Sequence, residues 1–366
     1  MKILASLAVA FLRVIYFFLK LFPAKNKILY LSRQANTPSI DFVMLSEKIN
    51  EIDPSLKQVM ITRRMERNFV AALKGIWVTF PQMYHLATSK VCITDGYSIP
   101  VSVLKHKKDL TVFQIWHSLL AVKNFGRCAF MSDKKIALLK TLKMHENYDF
   151  VTCASEPMID AFSKAFGTEK EKFLEIGLPR IDYILKNRQE ISRKIKIEYP
   201  QIAGKQVILY APTFRDYNEY KIDEIINSKP KDALLIVKLH PNMKCRFSDK
   251  ENVLSIKKFS ALELLCVADR VITDYSGFIA EAAAIEVPTY IYAYDYDKYR
   301  DTTGINIDLK EELKGFVFED ADKLFESNAF INPDIHVLRL FKEKYVPNFD
   351  GTATEKLAQT IIDVFK

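Results

Sequence analysis

The chain has 366 residues, 49% of them hydrophobic and 27% charged, with only 10 glycines. That composition excludes collagen-like, low-complexity and disordered classes, and the length fits about two domains. The net charge of +8 sits mostly before Asp41, where Lys2, Arg13, Lys20, Lys25, Lys27 and Arg33 meet no acidic residue. The rest is nearly neutral, which argues against a protein that is basic throughout and coats nucleic acid.

Residues 1–22 contain 18 apolar residues, interrupted by Lys2, Ser6, Arg13 and Lys20. At about 100° per residue these four project within about 40° of one another on a helix. The segment reads as an amphipathic helix lying in a membrane interface, its cationic stripe toward anionic headgroups. Three other readings stay open. A transmembrane span would put Arg13 near its centre at about 2.5–3.5 kcal/mol. A cleaved signal peptide has a site at Ala8–Ala10, but apolar residues continue beyond it. A helix buried in the protein or an oligomer is the third.

Short apolar runs then alternate with amphipathic segments. The first series of strands is expected at Ile28–Leu31, Gln58–Ile61, Val91–Thr94, Val112–Ile115, Phe150–Cys153 and Phe173–Ile176. The second is expected at Val207–Tyr210, Leu234–Val237, Val253–Ile256, Val271–Thr273, Thr289–Tyr292 and Phe316–Phe318. Helices are expected at Ile40–Ile52, Lys134–Glu146, Glu156–Phe166, Ala261–Ala268, Phe278–Ile285 and Thr352–Phe365. Strand–helix alternation with nearly continuous apolar strands means parallel sheets covered on both faces. The charged stretch Lys186–Tyr199, followed by Pro200 and Gly204, marks the boundary between the series. The expected fold is therefore α/β and GT-B-like: two doubly wound parallel-sheet domains facing a cleft, preceded by the membrane helix. The segments are 1–24 (membrane helix), 25–190 (acceptor-side domain), 191–350 (donor-binding domain) and 351–366 (a helix packing back on the first domain).

Cys92, Cys128, Cys153, Cys245 and Cys266 are odd in number and widely spaced, without a CxxC pair. Neither a zinc site nor a disulfide framework is implied, and a reducing, cytoplasmic location fits. No GxGxxG or Walker-type loop occurs. Asp295-Tyr296-Asp297 has the DxD spacing of metal-dependent transferases, yet its surroundings read as a helix-start cap, so no metal site is assigned. Alternating Tyr290, Tyr292, Tyr294 and Tyr296 read as sheet packing, with base stacking as the alternative.

Ligands of open parallel sheets bind beyond the carboxyl ends of the strands. There the sequence places His117-Ser118, Ser155-Glu156, Gly177-Leu178-Pro179-Arg180, Pro212-Thr213-Phe214-Arg215, Lys238-Leu239-His240-Pro241 and Asp274-Tyr275-Ser276-Gly277. Each has a bland reading as a cap or turn. Together, two histidines, two arginines, a lysine and a Ser-Gly helix start supply what a pyrophosphate needs. Glu281 lies about one and a half turns into that helix and is the candidate to accept hydrogen bonds from ribose hydroxyls.

These motifs, with Gln114-Ile115-Trp116-His117 and downstream Lys123 and Gly126, Ala211 before Pro212, and Pro288 leading to Tyr292-Ala293-Tyr294-Asp295 and Tyr299-Arg300, resemble the CDP-glycerol glycerophosphotransferase family of wall teichoic acid primases and polymerases. The resemblance runs from about residue 112 to residue 300 and implies a GT-B enzyme that moves a polyol phosphate. It implies that His117 is the base that deprotonates the acceptor hydroxyl and that His240 is the second essential histidine, at the phosphates. Arg215, Lys238 and Ser276 would hold the pyrophosphate, and Thr213, Gly277, Glu281, Asp274 and Arg180 would complete the donor-binding set.

The implied donor is CDP-glycerol, or alternatively CDP-ribitol. The implied acceptor is an undecaprenyl-diphosphate-linked disaccharide or its polyol-phosphate-extended form. The protein would be peripheral on the cytoplasmic face of the cell membrane, at an anionic surface. No cofactor is implied, and a magnesium requirement stays open. The length leaves little room for a processivity domain, which leans toward priming. A GT-B glycosyltransferase using a nucleotide sugar for capsule or wall polymer is the competing reading. Two departures from the family stand out: Ser118 where many members have glycine, and Gly277 where a second serine is frequent. Glu281 also replaces a frequent aspartate.

Overall fold

A computed structural model describes residues 2–64, 69–215, 220–240, 243, 247 and 250–366. Pro241 and Cys245 lie outside the described residues. All twelve apolar runs form strands. In the first sheet these are β1 (Lys25–Ser32), β2 (Lys57–Thr62), β3 (Ser89–Thr94), β4 (Thr111–Gln114), β5 (Phe150–Thr152) and β6 (Phe173–Leu174). In the second they are β7 (Val207–Tyr210), β8 (Leu234–Val237), β9 (Val253–Leu254), β10 (Arg270–Thr273), β11 (Thr289–Tyr292) and β12 (Val317–Phe318). Every pairing within the two sheets is parallel. The α/β doubly wound reading holds.

The strand orders are β2-β1-β3-β4-β5-β6 and β12-β11-β10-β7-β8-β9. In each sheet the chain winds outward one way from its first strand, then returns to wind the other way. The order therefore reverses between β1 and β3 in one sheet and between β7 and β10 in the other. Adjacent loops at such a point leave in opposite directions and open a crevice at the carboxyl edge. The central strands are apolar along their whole length because helices cover both faces: Ile28–Leu31, Val207–Tyr210 and Leu234–Val237 are all buried.

The chain divides into two compact units. One comprises Met1–His117, Phe125–Asp182 and Asp350–Lys366; the other comprises Ser118–Asn124 and Tyr183–Phe349. The stretch expected as a boundary, Lys186–Tyr199, lies between β6 and β7 and is largely the second half of a 20-residue helix, Pro179–Glu198; the division into compact units falls earlier in that helix, after Asp182. In the first unit the closing helix Ala353–Asp363 packs on the helix Ile40–Ile52, and Asp182 accepts from the Thr354 N–H and hydroxyl at 2.7 and 2.6 Å. The helix expected at Lys134–Glu146 stops at Thr141, because Lys143, His145 and Asn147 all adopt positive φ. The one expected from Ala261 ends at Leu264.

The N-terminal helix, Lys2–Leu19, packs through Val9 and Tyr16, which are buried. The Tyr16 hydroxyl meets His106 Nδ1 at 2.9 Å, and His106 Nε2 faces the Val101 carbonyl at 2.7 Å. A carbonyl only accepts, so the His106 proton sits on Nε2 and Tyr16 donates to Nδ1. Arg13 Nε donates to the Val103 carbonyl at 3.0 Å. Part of the cationic stripe is thus turned onto the protein, contrary to its expected place among headgroups. The outward face is apolar, with Ile3, Leu4, Leu7, Phe11, Phe18 and Leu21 exposed.

Candidate active site

Each sheet carries a polar cluster at its reversal point. On the first, His117 follows β4, and its neighbours come from the ends of β1 and β3. His117 Nδ1 lies 3.1 Å from the Asp95 carbonyl and 3.1 Å from Gln34 Nε2. The carbonyl can only accept, whereas a glutamine amide is assigned either way round. The consistent tautomer has Nδ1–H donating to Asp95, which leaves Nε2 carrying the lone pair. The ring is exposed on this unit.

The backbone that presents this ring is strained. Trp116 has φ 51°, the left-handed region that a bulky residue rarely enters. Such a conformation costs on the order of 1–3 kcal/mol and persists only when its surroundings fix it. Here the Trp116 N–H donates to Gln114 Oε1 at 2.9 Å, and Gln114 Nε2 donates to the Gly96 carbonyl at 3.1 Å. The indole stacks on Phe125 and meets Phe166 and His145 edge-on. His145 itself is buried against Tyr148, and desolvation pushes its pKa down to about 3. It is a neutral packing residue.

Asp95, at the end of β3, is 2% exposed, and its Oδ1 has no hydrogen-bond partner among the described residues. Burial raises its pKa to about 6, against the lowering effect of a hydrogen bond with Ser32. Arg180, which the resemblance gives to the donor, is held by the Asp41 carboxylate, with Nε–Oδ2 2.9 Å. Its Nη1 donates to the His117 carbonyl at 3.1 Å.

On the second sheet, Thr213 and Arg215 follow β7, and Asp274, Ser276 and Gly277 follow β10. The structure brings Thr213, Arg215 and Asp274 together. The Thr213 N–H donates to both Asp274 oxygens at 2.9 and 3.0 Å, and Arg215 Nη1 reaches Asp274 Oδ2 at 2.7 Å. The Thr213 hydroxyl is buried without a hydrogen-bond partner among the described residues. Arg215 is 1% exposed, and the Tyr275, Tyr294 and Tyr299 rings surround its guanidinium. Burial alone would lower its pKa, but Asp274 and Asp295 outweigh burial and hold it protonated. Asp295 is the N-cap position of the helix Tyr296–Thr303, but its side chain makes no cap hydrogen bond; its carboxylate oxygens take Arg215 and the Tyr275 hydroxyl instead.

Ser276 Oγ accepts from the Phe278 N–H at 3.2 Å and starts the helix Phe278–Ala284, within which Glu281 is buried. A Cβ on Gly277 would fall inside the van der Waals shell of Ser118 Oγ. Lys238 Nζ is bound to the carbonyls of Ile256 and Phe259 at 2.9 and 2.5 Å, so it staples the segment after β9. Burial lowers its pKa. His240 is exposed, with its ring 5.9 Å from that of Phe214. Tyr290 and Tyr292 are fully buried in the sheet, whereas Tyr294 and Tyr296 lie beyond it and line a surface pocket of about 720 Å³. Sequence reasoning missed Gln34, Asp41, Asp95 and the role of Asp295. Only Asp95-Gly96, directly after an apolar strand, gave a usable signal.

A profile of the CDP-Glycerol:Poly(glycerophosphate) glycerophosphotransferase family matches residues 14–363. A teichoic acid glycerol-phosphate primase of Bacillus subtilis is 28% identical, over 98% of each chain. A teichoic acid ribitol-phosphate primase of Bacillus spizizenii is 27% identical, over 92% of this chain and 90% of its own. The wall teichoic acid polymerase TagF has a similar structure, with a TM-score of 0.77 and 18% identity over 99% of this chain and 97% of that one.

Proposed function

The chain belongs to the CDP-glycerol:poly(glycerophosphate) glycerophosphotransferase family, and we propose that it primes a lipid-linked teichoic acid precursor with glycerol phosphate. It is a polyol-phosphate transferase; glycerol as the polyol is the finer part of the reading. The observation that carries it is the His117 ring after β4, with Nδ1–H on the Asp95 carbonyl, the tautomer in which Nε2 bears no proton. A neutral imidazole nitrogen can take up a proton, which suits a general base.

In the proposed step the acceptor hydroxyl oxygen attacks the phosphorus that bears glycerol. A new P–O bond forms, the bond to the bridging oxygen breaks, and CMP leaves with its electron pair. The hydroxyl proton passes to His117 Nε2. Charge spreads over the non-bridging oxygens, so positioning and fixed dipoles do most of the work. His240, Ser276, Gly277 and Thr213 are proposed at the diphosphate, and Glu281 at the ribose. Arg215, Asp274 and Lys238 are proposed to shape that surface from beneath, since their charged groups are bound to protein. The reading uses no cofactor; assays with EDTA and with magnesium decide that point.

Similarity to a ribitol-phosphate primase is nearly as high as to the glycerol enzyme, so CDP-ribitol is the second reading. Incubation with CDP-glycerol, CDP-ribitol and UDP- or CMP-sugars, followed by nucleotide release, separates the cases. Turnover of CDP-glycerol with CMP release is expected. Turnover of neither CDP-polyol overturns the reading, and release from a nucleotide sugar alone supports a glycosyltransferase. The outward apolar face of the N-terminal helix supports peripheral attachment to a membrane, proposed at its cytoplasmic face. Deletion of residues 1–22 is expected to release the protein from anionic vesicles.

A further inference from the structure

We propose that Asp41 and Arg180 form a positioning pair that fixes the backbone on which His117 is presented, and that Arg180 is not a donor-binding residue. The proposal rests on the reading of His117 as the base.

Asp41 is fully buried in the first turn of the helix Ile40–Ile52. Its Oδ1 accepts from the Arg180 N–H at 2.8 Å and from Nε at 3.2 Å, while Oδ2 takes Nε at 2.9 Å and also Nη2. The carboxylate therefore caps the helix Pro179–Glu198 and orients the guanidinium plane at once. The remaining arm, Nη1, donates to the His117 carbonyl at 3.1 Å. The strained Trp116-His117 turn is thereby gripped from both sides. The Trp116 N–H is held by Gln114, and the His117 carbonyl by Arg180. Releasing the second grip lets a left-handed tryptophan relax, and the ring moves with it. Only a planar fork reaches a carboxylate and a carbonyl together, so lysine is no substitute.

The test measures kcat for CMP release from CDP-glycerol, and CDP-glycerol affinity by calorimetry, in wild type, His117→Ala, Arg180→Lys and Asp41→Asn. A displacement of about 1 Å at a reacting group costs about 10²-fold in rate. Both positioning variants are expected to lose kcat on that order while the Kd for CDP-glycerol stays within about twofold. The double variant is expected to lose no more than either single one, because the pair acts as a unit. A raised Kd with kcat retained, or additive losses, overturns the proposal. If Asp41→Asn does not fold, Arg180→Lys, which keeps the charge facing Asp41, decides alone. Turnover that survives His117→Ala overturns the reading of the base itself. Loss in His117→Ala with unaffected Arg180→Lys and Asp41→Asn overturns only the positioning pair.

Discussion

Arg215 and Asp295 close a two-point ion pair in the second unit, with Nε–Oδ2 2.6 Å and Nη2–Oδ1 3.0 Å. Asp274 takes the other side of the same guanidinium at 2.7 Å. One buried cation thus joins the loop after β7 to the residues that follow β10 and β11. Those loops flank the point where the strand order reverses, so the pair sets the shape of the edge at which an anionic ligand is expected.

Breaking a buried pair leaves an uncompensated charge and costs about 3–5 kcal/mol. Asp295→Ala is therefore expected to lower the unfolding free energy by about 3 kcal/mol in urea titration. A change below about 1 kcal/mol would show that the pair is solvated in solution, as surface pairs are.

The two departures Ser118 and Gly277 look unrelated in the sequence and meet in the second unit. Ser118 Oγ donates to the Leu120 carbonyl at 2.8 Å and occupies the space a side chain at 277 would need. Overpacking of this kind costs about 1–3 kcal/mol. Gly277→Ala is expected to destabilise by that amount, and Ser118→Gly in the same chain to restore stability. Urea titration of both single variants and the double gives the coupling. Strictly additive effects would show that the contact is not what keeps residue 277 small.

Much of the fold was legible because parallel strands covered on both faces leave continuous apolar runs. Val207–Tyr210 and Leu234–Val237 begin and end where the sequence places them. The charge-rich stretch after Pro179 does lie between the two strand series, but its helical state was not legible, because solvent-facing helix positions share a linker's composition. His117 stood out as a histidine after a strand. Of its supports only Asp95-Gly96 gave a signal; Gln34 and Asp41 arrive from elsewhere in the chain and each alone resembles a turn or cap residue. Arg215 was legible as a cation at a strand end, but its burial was not, since its partners lie about 60 and 80 residues later.

The N-terminal helix makes a prediction opposite to that of a headgroup-facing stripe. Arg13 bonds to Val103 and the outward face is apolar, so the proposed attachment would depend on insertion more than on charge. Vesicle sedimentation is expected to change little between low and high salt, where pure headgroup attraction is screened. Phe18→Glu is expected to weaken it at least tenfold, in line with about 1.4 kcal/mol or more for each tenfold change. Release by salt alone would restore the electrostatic account.

Asp95 gives the protein a carboxyl that titrates near neutrality. The groups facing it are Ser32 from β1, Asp41 from the helix after it and Arg180 from the helix after β6; desolvation outweighs their combined effect and lifts its pKa from 3.8 to about 6. A raised carboxyl pKa means the folded state favours the neutral form. Its contribution is fully present below about pH 4 and is lost as pH rises through 6, a change of about 3 kcal/mol. Asn lacks the ionisation but keeps the shape. Asp95→Asn is therefore expected to gain stability relative to wild type as pH rises from 4 to 7, measured by urea unfolding at each pH. A difference that stays flat over that range would mean the carboxyl is solvated and keeps its ordinary pKa.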